Sequence, residues 1–493
     1  MVTISQLTAN LDCEIIGKDK VVSGLSYDSR QIKPGELFFA IRGFKTDGHL
    51  FVKEAAAKGA DAVVVEQIQD LDPSVTQVLV PDTRAAMGEM AAAFFGHPAR
   101  RLRVIGVTGT NGKTTTTYLI KSVLEQAGLS VGLIGTIQVM IGGKAVPAKR
   151  TTPESLDLQA LLAEMVAHNL DCVVMEVSSH ALELNRTAGL EFDTAVFTNL
   201  TQDHLDFHQS LEDYFQAKAK LFAGLAKASV KAGKAAVINV DDPFGVRMGI
   251  LSSAPVYSYG VEQPAQIRAC DIHITSKGVR YRLQTPFGDV PLDLGLTGRF
   301  NVYNTLAASG ACLAAGVDLA DLKAGLEKVT GVPGRFELVD MGQDFAVIVD
   351  YAHTPDSLRN VLNTVRGFAQ NRVITVFGAG GDRDRAKRPL MGQAAAELSD
   401  YVILTSDNPR SEDPMVICSE IEQGMLPLAS RKAGFDYHIE PNRARAIEMA
   451  IKMAEAGDVV VIAGKGHETY QEFAGHIIDF DDRAEARRVL KEL

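Results

Sequence analysis

Short apolar runs alternate with helical patterns through most of this chain, and this alternation limits the possible folds more than any other feature. An apolar run followed by a helical pattern is typical of a β-strand and the helix that returns the chain to the next parallel strand. The sequence therefore predicts an α/β fold, with parallel sheets covered by helices on both faces. The runs are Val131–Ile134, Val173–Val177, Ala195–Phe197, Val347–Val349, Val373–Phe377, Val402–Leu404 and Val459–Ile462.

A small antiparallel sheet is expected in the middle of the chain. Apolar and polar residues alternate over 279–283 and over 290–294, on either side of the turn Pro286-Phe287-Gly288-Asp289. Alternation on both sides of a turn is typical of a β-hairpin with one buried face.

Two breaks divide the 493 residues into three predicted domains. Gly96-His97-Pro98 ends an alanine-rich helical pattern, and Gly331-Val332-Pro333-Gly334 is dense in glycine and proline. We predict a first domain at 1–98, a central domain at 99–330 with the parallel and antiparallel strands, and a Rossmann-like α/β domain at 331–493.

Composition argues against several classes of protein. The net charge of −11 disfavours binding to nucleic acid. The five cysteines are scattered without a C-x-x-C pair, which favours reduced thiols in a cytoplasmic protein. We find no signal-peptide pattern at the N-terminus and no apolar run of roughly 18 residues. A soluble cytoplasmic protein without a membrane span is expected.

A glycine-rich segment follows the predicted strand that ends at Val107 and precedes a helical pattern. The segment is Gly109-Thr110-Asn111-Gly112-Lys113-Thr114-Thr115. Its glycines allow backbone N–H groups to turn towards a phosphate, and the helix N-terminus attracts negative charge. We expect Lys113 to bridge the β- and γ-phosphates of ATP and Thr114 to place its hydroxyl on Mg²⁺. The gap between Gly106 and Gly112 is one residue longer than in the common phosphate-loop pattern.

Glu176 closes the apolar run that begins at Cys172. An acid at the end of a neighbouring strand is typical of the residue that holds the metal in phosphate-loop ATPases. Two competing patterns are weaker. Ser178-Ser179-His180 lacks the Gly-x-Ser-x-Gly turn of a serine hydrolase. The stretch 377–381 fails as a dinucleotide fingerprint because Arg383 stands where the third glycine is needed.

Several motifs together resemble those of the Mur ligases. They are the segments 108–115, 176–182, 199–208, 214–218, 298–304, 350–355 and 464–468, with Asp28-Ser29-Arg30 near the N-terminus. The resemblance covers nearly the whole chain, and the glycine gap noted above is the form found in that family. It implies a first domain that binds a uridine nucleotide, a central ATPase, and a C-terminal domain that binds an amino acid.

The resemblance is strongest to family members that add the third amino acid of the peptidoglycan precursor. It implies a ligase that uses ATP and Mg²⁺ to join meso-diaminopimelate to the D-glutamate side-chain carboxylate of UDP-N-acetylmuramoyl-L-Ala-D-Glu. The carboxylate would first be activated as an acyl phosphate. A monomer is expected.

The same resemblance implies roles for individual residues. The catalytic and metal-binding set is Lys113, Thr114, Glu176, His204 and a carbamylated Lys218. Carbamylation would convert a cation that repels magnesium into an oxygen ligand. The further nucleotide contacts are Asn304, Arg335, Asp350 and His353. The contacts with the UDP-sugar peptide are Ser29, Thr151, Thr152, Ser178 and Arg186.

Asp407-Asn408-Pro409-Arg410 bears on the choice of amino acid. It resembles the signature of family members that take meso-diaminopimelate. This amino acid carries a second carboxylate that lysine lacks, and a guanidinium offers that carboxylate a planar two-pronged donor. By the same resemblance, Arg383 would bind a carboxylate and Glu468 an ammonium, and Gly464 would complete the pocket.

Three alternatives remain open on sequence grounds. The chain could be a ligase that adds lysine, a folylpolyglutamate synthetase, or a regulatory protein that hydrolyses ATP without ligation. The segments 28–38 and 407–410 disfavour the first two. The third would turn over ATP without regard to a UDP-dipeptide or a diamino acid.

Overall fold

The computed structural model of the protein describes residues 2–44, 46–148, 150–201, 207–226, 230–275, 277–429 and 436–493. The N-terminal strands are β1 (Val2–Thr3), β2 (Glu14–Ile16), β3 (Val21–Val22), β4 (Gly24–Ser26), β5 (Glu36–Phe39), β6 (Ala62–Val65) and β7 (Thr76–Leu79). The N-terminal helices are α1 (Ile4–Leu7), α2 (Val52–Ala57) and α3 (Thr83–Phe94).

Five of these strands form a sheet in the order β2-β7-β6-β5-β4. Strand β2 runs antiparallel to β7, and the other neighbouring pairs are parallel. Leu37, Phe39 and Val64 of the sheet are buried in one core with Met87 and Met90 of α3. The helix α3 is therefore fixed against this sheet by its apolar face.

A second group of elements follows. Its strands are β8 (Arg103–Thr108), β9 (Val131–Ile134), β10 (Gln138–Ile141), β11 (Lys144–Pro147), β12 (Cys172–Glu176), β13 (Thr194–Phe197), β14 (Ala235–Asn239), β15 (Val256–Gly260), β16 (Ile267–Thr275), β17 (Gly278–Thr285) and β18 (Gly288–Leu294). Its helices are α4 (Lys113–Gln126), α5 (Ser155–Ala167), α6 (Ser179–Glu183), α7 (Leu211–Ala223), α8 (Pro243–Leu251), α9 (Arg299–Ala314) and α10 (Leu319–Glu327).

These strands form one sheet in the order β11-β10-β9-β12-β8-β13-β14-β15-β16-β17-β18. The run from β9 to β16 is parallel, and β16, β17 and β18 pair antiparallel. The predicted hairpin is confirmed, because Tyr281 lies opposite Leu292 and Leu283 opposite Val290. The antiparallel strands continue the parallel sheet through β15 and β16 and do not form a separate layer.

Helices cover both faces of this sheet, as the alternation predicts. Buried residues of α4, α9 and α10 form the core on one face, and those of α5, α7 and α8 form the core on the other. In α4, Leu119, Ile120, Val123 and Leu124 are fully buried. Their spacing places them on one side of the helix.

The C-terminal elements form a third sheet. Its strands are β19 (Glu337–Leu338), β20 (Ala346–Asp350), β21 (Val373–Phe377), β22 (Tyr401–Leu404), β23 (Asp436–Ile439) and β24 (Val459–Ala463), followed by the hairpin of β25 (Tyr470–Phe473) and β26 (His476–Asp479). The helices are α11 (Pro355–Arg366), α12 (Lys387–Leu398), α13 (Pro414–Ala429), α14 (Arg443–Met453) and α15 (Asp482–Leu490). The sheet order is β19-β20-β24-β21-β22-β23.

Parallel pairing brings the loops of the site together. Strand β8 lies between β12 and β13, with Val107 opposite Glu176. In the C-terminal sheet, Asp350 lies opposite Ala463, and Phe377 opposite Leu404. The loops that follow these strands therefore meet at the carboxyl edge of each sheet, where α/β proteins bind ligands. Within the described ranges, no helix is both long and apolar enough to cross a membrane.

Candidate active site

The glycine-rich segment forms a tight loop between β8 and α4. Gly109 and Gly112 have φ angles of 149° and 84°, which favour glycine. A Cβ atom on Gly109 would lie 1.9 Å from the Thr198 hydroxyl, and one on Gly112 would lie 2.3 Å from Oδ1 of Asn304. Both the backbone conformation and the close approach therefore require glycine. The loop leads into the N-terminus of α4 at Lys113, an arrangement that binds phosphate.

Two lysine side chains converge on one carbonyl oxygen of this loop. Nζ of Lys113 donates to the oxygen of Gly109 at 3.0 Å and to that of Thr110 at 2.7 Å. Nζ of Lys218, on α7, donates to the same Gly109 oxygen at 3.0 Å. Lys218 is only 1% exposed, and its Nζ lies 4.4 Å from the centre of the Tyr214 ring. Since two ammonium groups repel each other, a bound anion, or loss of one of the two charges, would stabilise this arrangement.

Glu176 is buried at the end of β12, beside the loop. Its Oε1 accepts the hydroxyl of Thr114 at 3.1 Å and the backbone N–H of Thr136 at 2.8 Å. Its Oε2 accepts the hydroxyl of Thr136 at 2.9 Å. The structure thus brings together two of the four predicted magnesium ligands, Thr114 and Glu176.

The oxygens of Thr114 and Glu176 fit a magnesium site of limited protein ligation. Mg²⁺ keeps several waters and takes one or two carboxylates together with substrate phosphates. Within the described part of the chain, no group of three or more His, Cys, Asp and Glu side chains could hold a metal ion. His204, a predicted ligand, lies outside the described residues. The donor set therefore suits an ion held largely by nucleotide phosphates and water.

Asn304 and Arg335 approach the loop from other elements. Asn304, on α9, is buried with its Oδ1 against Gly112. Nη2 of Arg335 donates to the hydroxyl of Thr114 at 3.3 Å, and its guanidinium lies over the Tyr351 ring, 4.6 Å from the ring centre. Nε of Arg335 is buried without a hydrogen-bond partner among the described residues. A bound anion would satisfy such a donor.

Asp350, His353 and His467 surround the same Tyr351. Burial raises the pKa of Asp350, and the charge of Arg335 opposes that shift. Nδ1 of His353 lies 2.8 Å from the Tyr351 carbonyl oxygen. Burial, and then the charge of Arg335, lowers the pKa of His467 to about 3. His467 is therefore neutral near pH 7, beside the positive charge of Arg335.

Asp356 joins the C-terminal region to the phosphate loop. It lies in the first turn of α11, and its Oδ2 accepts Nδ2 of Asn111 at 3.1 Å and the hydroxyl of Thr201 at 3.0 Å. The loop that is suited to phosphate is therefore held from the C-terminal side as well.

Four of the predicted contacts with the UDP-sugar peptide lie together behind Glu176. The hydroxyl of Thr152 donates to the Glu176 carbonyl oxygen at 2.9 Å and accepts the N–H of Ser178 at 3.1 Å. Nη1 of Arg186 donates to the carbonyl oxygen of Thr152 at 3.2 Å. The hydroxyl of Thr151 lies 3.1 Å from the hydroxyl of Thr136, which also binds the Glu176 carboxylate.

Ser29 lies elsewhere, in the loop between β4 and β5. It is buried, and its carbonyl oxygen accepts Nζ of Lys58 at 3.0 Å. Two residues earlier, the hydroxyl of Tyr27 donates to Asp157 on α5 at 2.6 Å. This contact fixes the Ser29 loop against the helix that follows Thr152.

The segment after β22 faces the segment after β24. Nδ2 of Asn408 donates to Oε2 of Glu468 at 2.8 Å. The fully buried Lys465 donates to Oδ1 of Asn408 at 3.0 Å and to Oε2 of Glu468 at 2.8 Å. Gly464 has a φ of 117°, and a Cβ atom there would lie 2.6 Å from Oδ2 of Asp407. Four of the predicted amino-acid contacts therefore lie together in one pocket, and a hydrogen bond joins two of them, Asn408 and Glu468.

Arg410 is held in an unusual backbone conformation at this pocket. Its φ is 51°, which is costly for a residue other than glycine. Nε of Arg410 donates to Oε2 of Glu472 at 3.0 Å, and Nη1 donates to the carbonyl oxygen of Gly381 at 2.6 Å. These contacts fix the direction of the guanidinium.

Arg383 and Pro409 both lie against the loop that contains Gly380 and Gly381. A Cβ atom on Gly380 would lie 3.2 Å from Nη1 of Arg410 and 3.6 Å from Cγ of Arg383. Arg383 is exposed, whereas the Pro409 carbonyl oxygen would lie 1.9 Å from a Cβ atom on Gly381. Two arginines therefore flank one glycine-lined surface, where they could bind carboxylates.

Several residues of this site have no individual role predicted from the sequence, among them Thr136, Asp356, Lys465 and Glu472. Lys465 lies inside the 464–468 motif, and Asp356 directly follows the 350–355 motif. That adjacency is the only signal that could have found them. Thr136 and Glu472 follow no pattern, because each contacts a partner that is distant in sequence.

Three family models match the chain. The Mur ligase family catalytic domain matches residues 21–95, the Mur ligase middle domain matches 107–312, and the Mur ligase glutamate ligase domain matches 334–466.

Curated relatives match over almost the full length. The UDP-N-acetylmuramoyl-L-alanyl-D-glutamate–2,6-diaminopimelate ligase of Geobacillus thermodenitrificans is 50% identical over 97% of this chain and 96% of its own. Proteins of the same name from Geobacter metallireducens and Syntrophomonas wolfei are 47% and 46% identical, each over 96% of this chain and over 94% and 95% of their own lengths.

Solved structures agree with these matches. A structure of a UDP-N-acetylmuramoyl-L-alanyl-D-glutamate–2,6-diaminopimelate ligase has a TM-score of 0.71 and 35% identity, over 100% of this chain and 99% of that chain. The MurF ligase of Thermotoga maritima in complex with ADP shares the fold, with a TM-score of 0.63 and 18% identity over 95% of this chain and 96% of that chain. So does a folylpolyglutamate synthase of Mycobacterium tuberculosis complexed with ADP and AMPPCP, with a TM-score of 0.62 and 18% identity over 82% of this chain and 95% of that chain.

Proposed function

This chain belongs to the Mur ligase family, and on that premise we propose that it joins meso-diaminopimelate to the D-glutamate side-chain carboxylate of UDP-N-acetylmuramoyl-L-Ala-D-Glu. ATP supplies the energy for the amide bond. The observation that carries the proposal is the pocket in which Glu468 accepts a hydrogen bond from Asn408, two residues before Arg410. It offers an anion and a cation to an amino acid that carries an ammonium and a second carboxylate.

The phosphate loop fits ATP. Glycine is required at both Gly109 and Gly112, and the start of α4 and Lys113 supply positive charge where phosphates would lie. Thr114 and Glu176 would hold Mg²⁺, with His204 and a carbamate on Lys218 as further proposed ligands. When bound, the ion would neutralise phosphate charge and polarise the phosphorus–oxygen bonds.

The first step is activation of the carboxylate. The D-glutamate side chain attacks the γ-phosphorus of ATP, so a carbon–oxygen–phosphorus link forms and ADP leaves. Two anions must approach each other, so the protein contributes mainly position and countercharge. Lys113 and Arg335 are the cations beside Thr114 that would bind the phosphoryl oxygens.

The second step forms the amide. The amine of meso-diaminopimelate attacks the acyl carbon, and the carbon–oxygen bond to the phosphate breaks. The amine gives up a proton as phosphate leaves. Arg410 and Arg383 would bind the carboxylates of the amino acid, and Glu468 an ammonium. The Glu472 contact would keep the Arg410 guanidinium aimed at its carboxylate.

Three regions would divide the work in this proposal. Residues 1–98 bind the uridine end of the substrate around Ser29, residues 99–330 carry out phosphoryl transfer, and residues 331–493 bind the amino acid. We propose a cytoplasmic monomer, and its five cysteines are all free, which suits a reducing compartment.

A labelling experiment tests the acyl phosphate. The D-glutamate side-chain carboxylate is prepared with heavy oxygen, and the released phosphate is analysed by mass spectrometry after turnover with ATP and meso-diaminopimelate. Transfer of one heavy oxygen from the carboxylate to phosphate is expected. Product formation with unlabelled phosphate would rule out this intermediate.

A further inference from the structure

Three arginines surround one glutamate where α3 of the N-terminal region packs against α5 of the central region. We call Arg84, Arg150, Arg186 and Glu154 the arginine cluster. Oε2 of Glu154 accepts Nη1 of Arg84 at 3.3 Å, and Oε1 accepts Nη1 of Arg150. Nη2 of Arg186 forms an ion pair with Oε1 at 3.1 Å. Arg84 lies on α3, and the other three residues lie in the central region. The cluster is therefore built from both sides of the boundary.

The cluster has an excess of positive charge and of hydrogen-bond donors. Three guanidiniums share the Glu154 carboxylate, and the nearby Asp157 accepts the hydroxyl of Tyr27. Nε of Arg186 is buried and has no partner among the residues that the structure describes. Burial lowers the pKa of Arg186, and the charges of Arg150 and Arg84 act in the same direction, against Glu154. These guanidiniums repel one another, so an added anion would stabilise the group.

The cluster lies between the two ends that the substrate must reach. On one side, the Tyr27–Asp157 contact connects the helix after Glu154 to the Ser29 loop. On the other side, Arg186 binds the Thr152 carbonyl, and the Thr152 hydroxyl binds the Glu176 carbonyl. A substrate with its uridine at Ser29 and its reacting carboxylate near Glu176 would pass the cluster.

We propose that Arg84 and Arg150, gathered with Arg186 by Glu154, form an anion subsite for the UDP-dipeptide. This inference rests on the proposed function. It adds two ligands to the expected Arg186, and one of them, Arg84, comes from the N-terminal region. The subsite takes an oxyanion group, which the substrate offers as its diphosphate and as the α-carboxylate of D-glutamate. Glu154 is a positioning residue, because it holds three like charges in one place.

Binding measurements test the subsite without depending on turnover. Arg84→Gln and Arg150→Gln are titrated with UDP-N-acetylmuramoyl-L-Ala-D-Glu by calorimetry, in the absence of ATP. Each loss of a charge-assisted contact should weaken binding about tenfold. Arg84→Lys keeps the charge and should recover part of the affinity. Arg100→Gln is the matched control, because it breaks another arginine–glutamate pair, with Glu191 at 2.6 Å, away from the cluster.

Two further ligands identify the anion. Weaker binding of UDP alone assigns the subsite to the diphosphate. The subsite is assigned to the α-carboxylate by a different result: wild type and variants bind UDP equally well, and all of them bind the α-amidated dipeptide equally weakly. If both variants bind the UDP-dipeptide within twofold of wild type and lose only thermal stability, the cluster is a clamp between two regions and the proposal is wrong.

The same data separate this proposal from the proposed reaction. A wild-type protein that binds the UDP-dipeptide through the arginines but does not ligate meso-diaminopimelate would leave the subsite standing and contradict the reaction. Normal ligation by variants with unchanged affinity would leave the reaction standing and contradict the subsite. Failure of the wild type to bind the UDP-dipeptide would contradict both.

Discussion

The Nζ atoms of Lys113 and Lys218 both lie 3.0 Å from the carbonyl oxygen of Gly109. One lysine starts the helix of the phosphate loop, and the other comes from α7, where it is buried. Burying a second ammonium beside the first is electrostatically costly. A bound phosphate would stabilise Lys113, and conversion of Lys218 to a carbamate would remove the repulsion. The two lysines are therefore expected to have different roles.

We predict that activity depends on carbamylation of Lys218. Removal of carbon dioxide from the buffer should lower turnover, and bicarbonate should restore it, because the carbamate would supply an oxygen ligand to magnesium. Isotope-labelled bicarbonate should give a carbamate signal in the carbon NMR spectrum that Lys218→Ala lacks. Lys220→Ala is the control. Lys220 lies on the same helix as Lys218, but it is exposed and pairs with Glu183 of α6. Full activity without carbon dioxide and without this signal would contradict the prediction.

Lys113→Met should lower kcat by about 10²- to 10³-fold, because it removes a cation positioned for the transferred phosphoryl group. Steady-state phosphate release measures the effect. Lys121→Met is the matched control on the same helix, where Lys121 pairs with Glu125 at 2.6 Å, and it should be close to wild type. A similar loss in both variants would mean that charge along α4 matters in general and that Lys113 has no special place.

Arg410→Gly should reduce kcat/KM for meso-diaminopimelate by roughly 10²-fold and change the value for L-lysine much less. The reason is that only meso-diaminopimelate has the second carboxylate, which loses its guanidinium partner in the variant. Glycine suits the φ of 51°, so the backbone is not strained by the change. Arg385→Gln, at an exposed arginine paired with Glu420, is the control. Equal losses for both amino acids would show that Arg410 does not read the second carboxylate.

Asp356→Ala should loosen the contact between the phosphate loop and α11, because it removes the acceptor for Asn111 and Thr201. We expect a larger radius of gyration by small-angle scattering in the absence of ligands. We also expect compaction when ATP analogue and substrates are added, since the phosphate loop and Arg410 must serve one reaction. Asp340→Ala, at an exposed turn, is the control. No change in scattering for either the variant or the ligands would contradict closure.

Glu412→Gln should destabilise the protein more at neutral pH than in acid. The fully buried Arg388 donates to both Glu412 oxygens, at 2.8 Å and 2.9 Å. These bonds lower the pKa of Glu412 from 4.5 to about 2. A lowered pKa in the folded state stabilises the protein above the unfolded value, and this stabilisation is lost as pH falls from about 4.5 towards 2. The wild-type and variant melting temperatures should converge over that range. A constant difference would contradict the prediction.

Local patterns predict local structure well in this chain. The alternation around residues 286–289 fixes which faces of β17 and β18 are buried, and the register that pairs Tyr281 with Leu292 follows from the turn. The glycines and the lysine of the phosphate loop also follow from strand–loop–helix context. In these cases the local structure is determined by residues that lie within a few positions of one another in the sequence.

Contacts between distant elements could not be predicted in this way. Hydrophobic periodicity shows which side of a helix is buried but not which element covers it. The arrival of Lys218 at Gly109, the contact of Asp356 with Asn111, and the pairing of Arg84 with Glu154 each depend on how strands are ordered in the sheets. The resemblance to a family suggested Lys218. The only sequence signal for Asp356 is its position directly after the 350–355 motif, and no pattern suggested Arg84.

The most direct test is the dependence of phosphate release on the two substrates. The purified protein is assayed with ATP and Mg²⁺, with the UDP-dipeptide omitted or present, and with meso-diaminopimelate, L-lysine, L-ornithine or no amino acid. We predict release only when the UDP-dipeptide and an amino acid are both present, with meso-diaminopimelate strongly preferred. Equal release without either substrate would contradict the assignment as a ligase, and preference for lysine would contradict the role of Arg410.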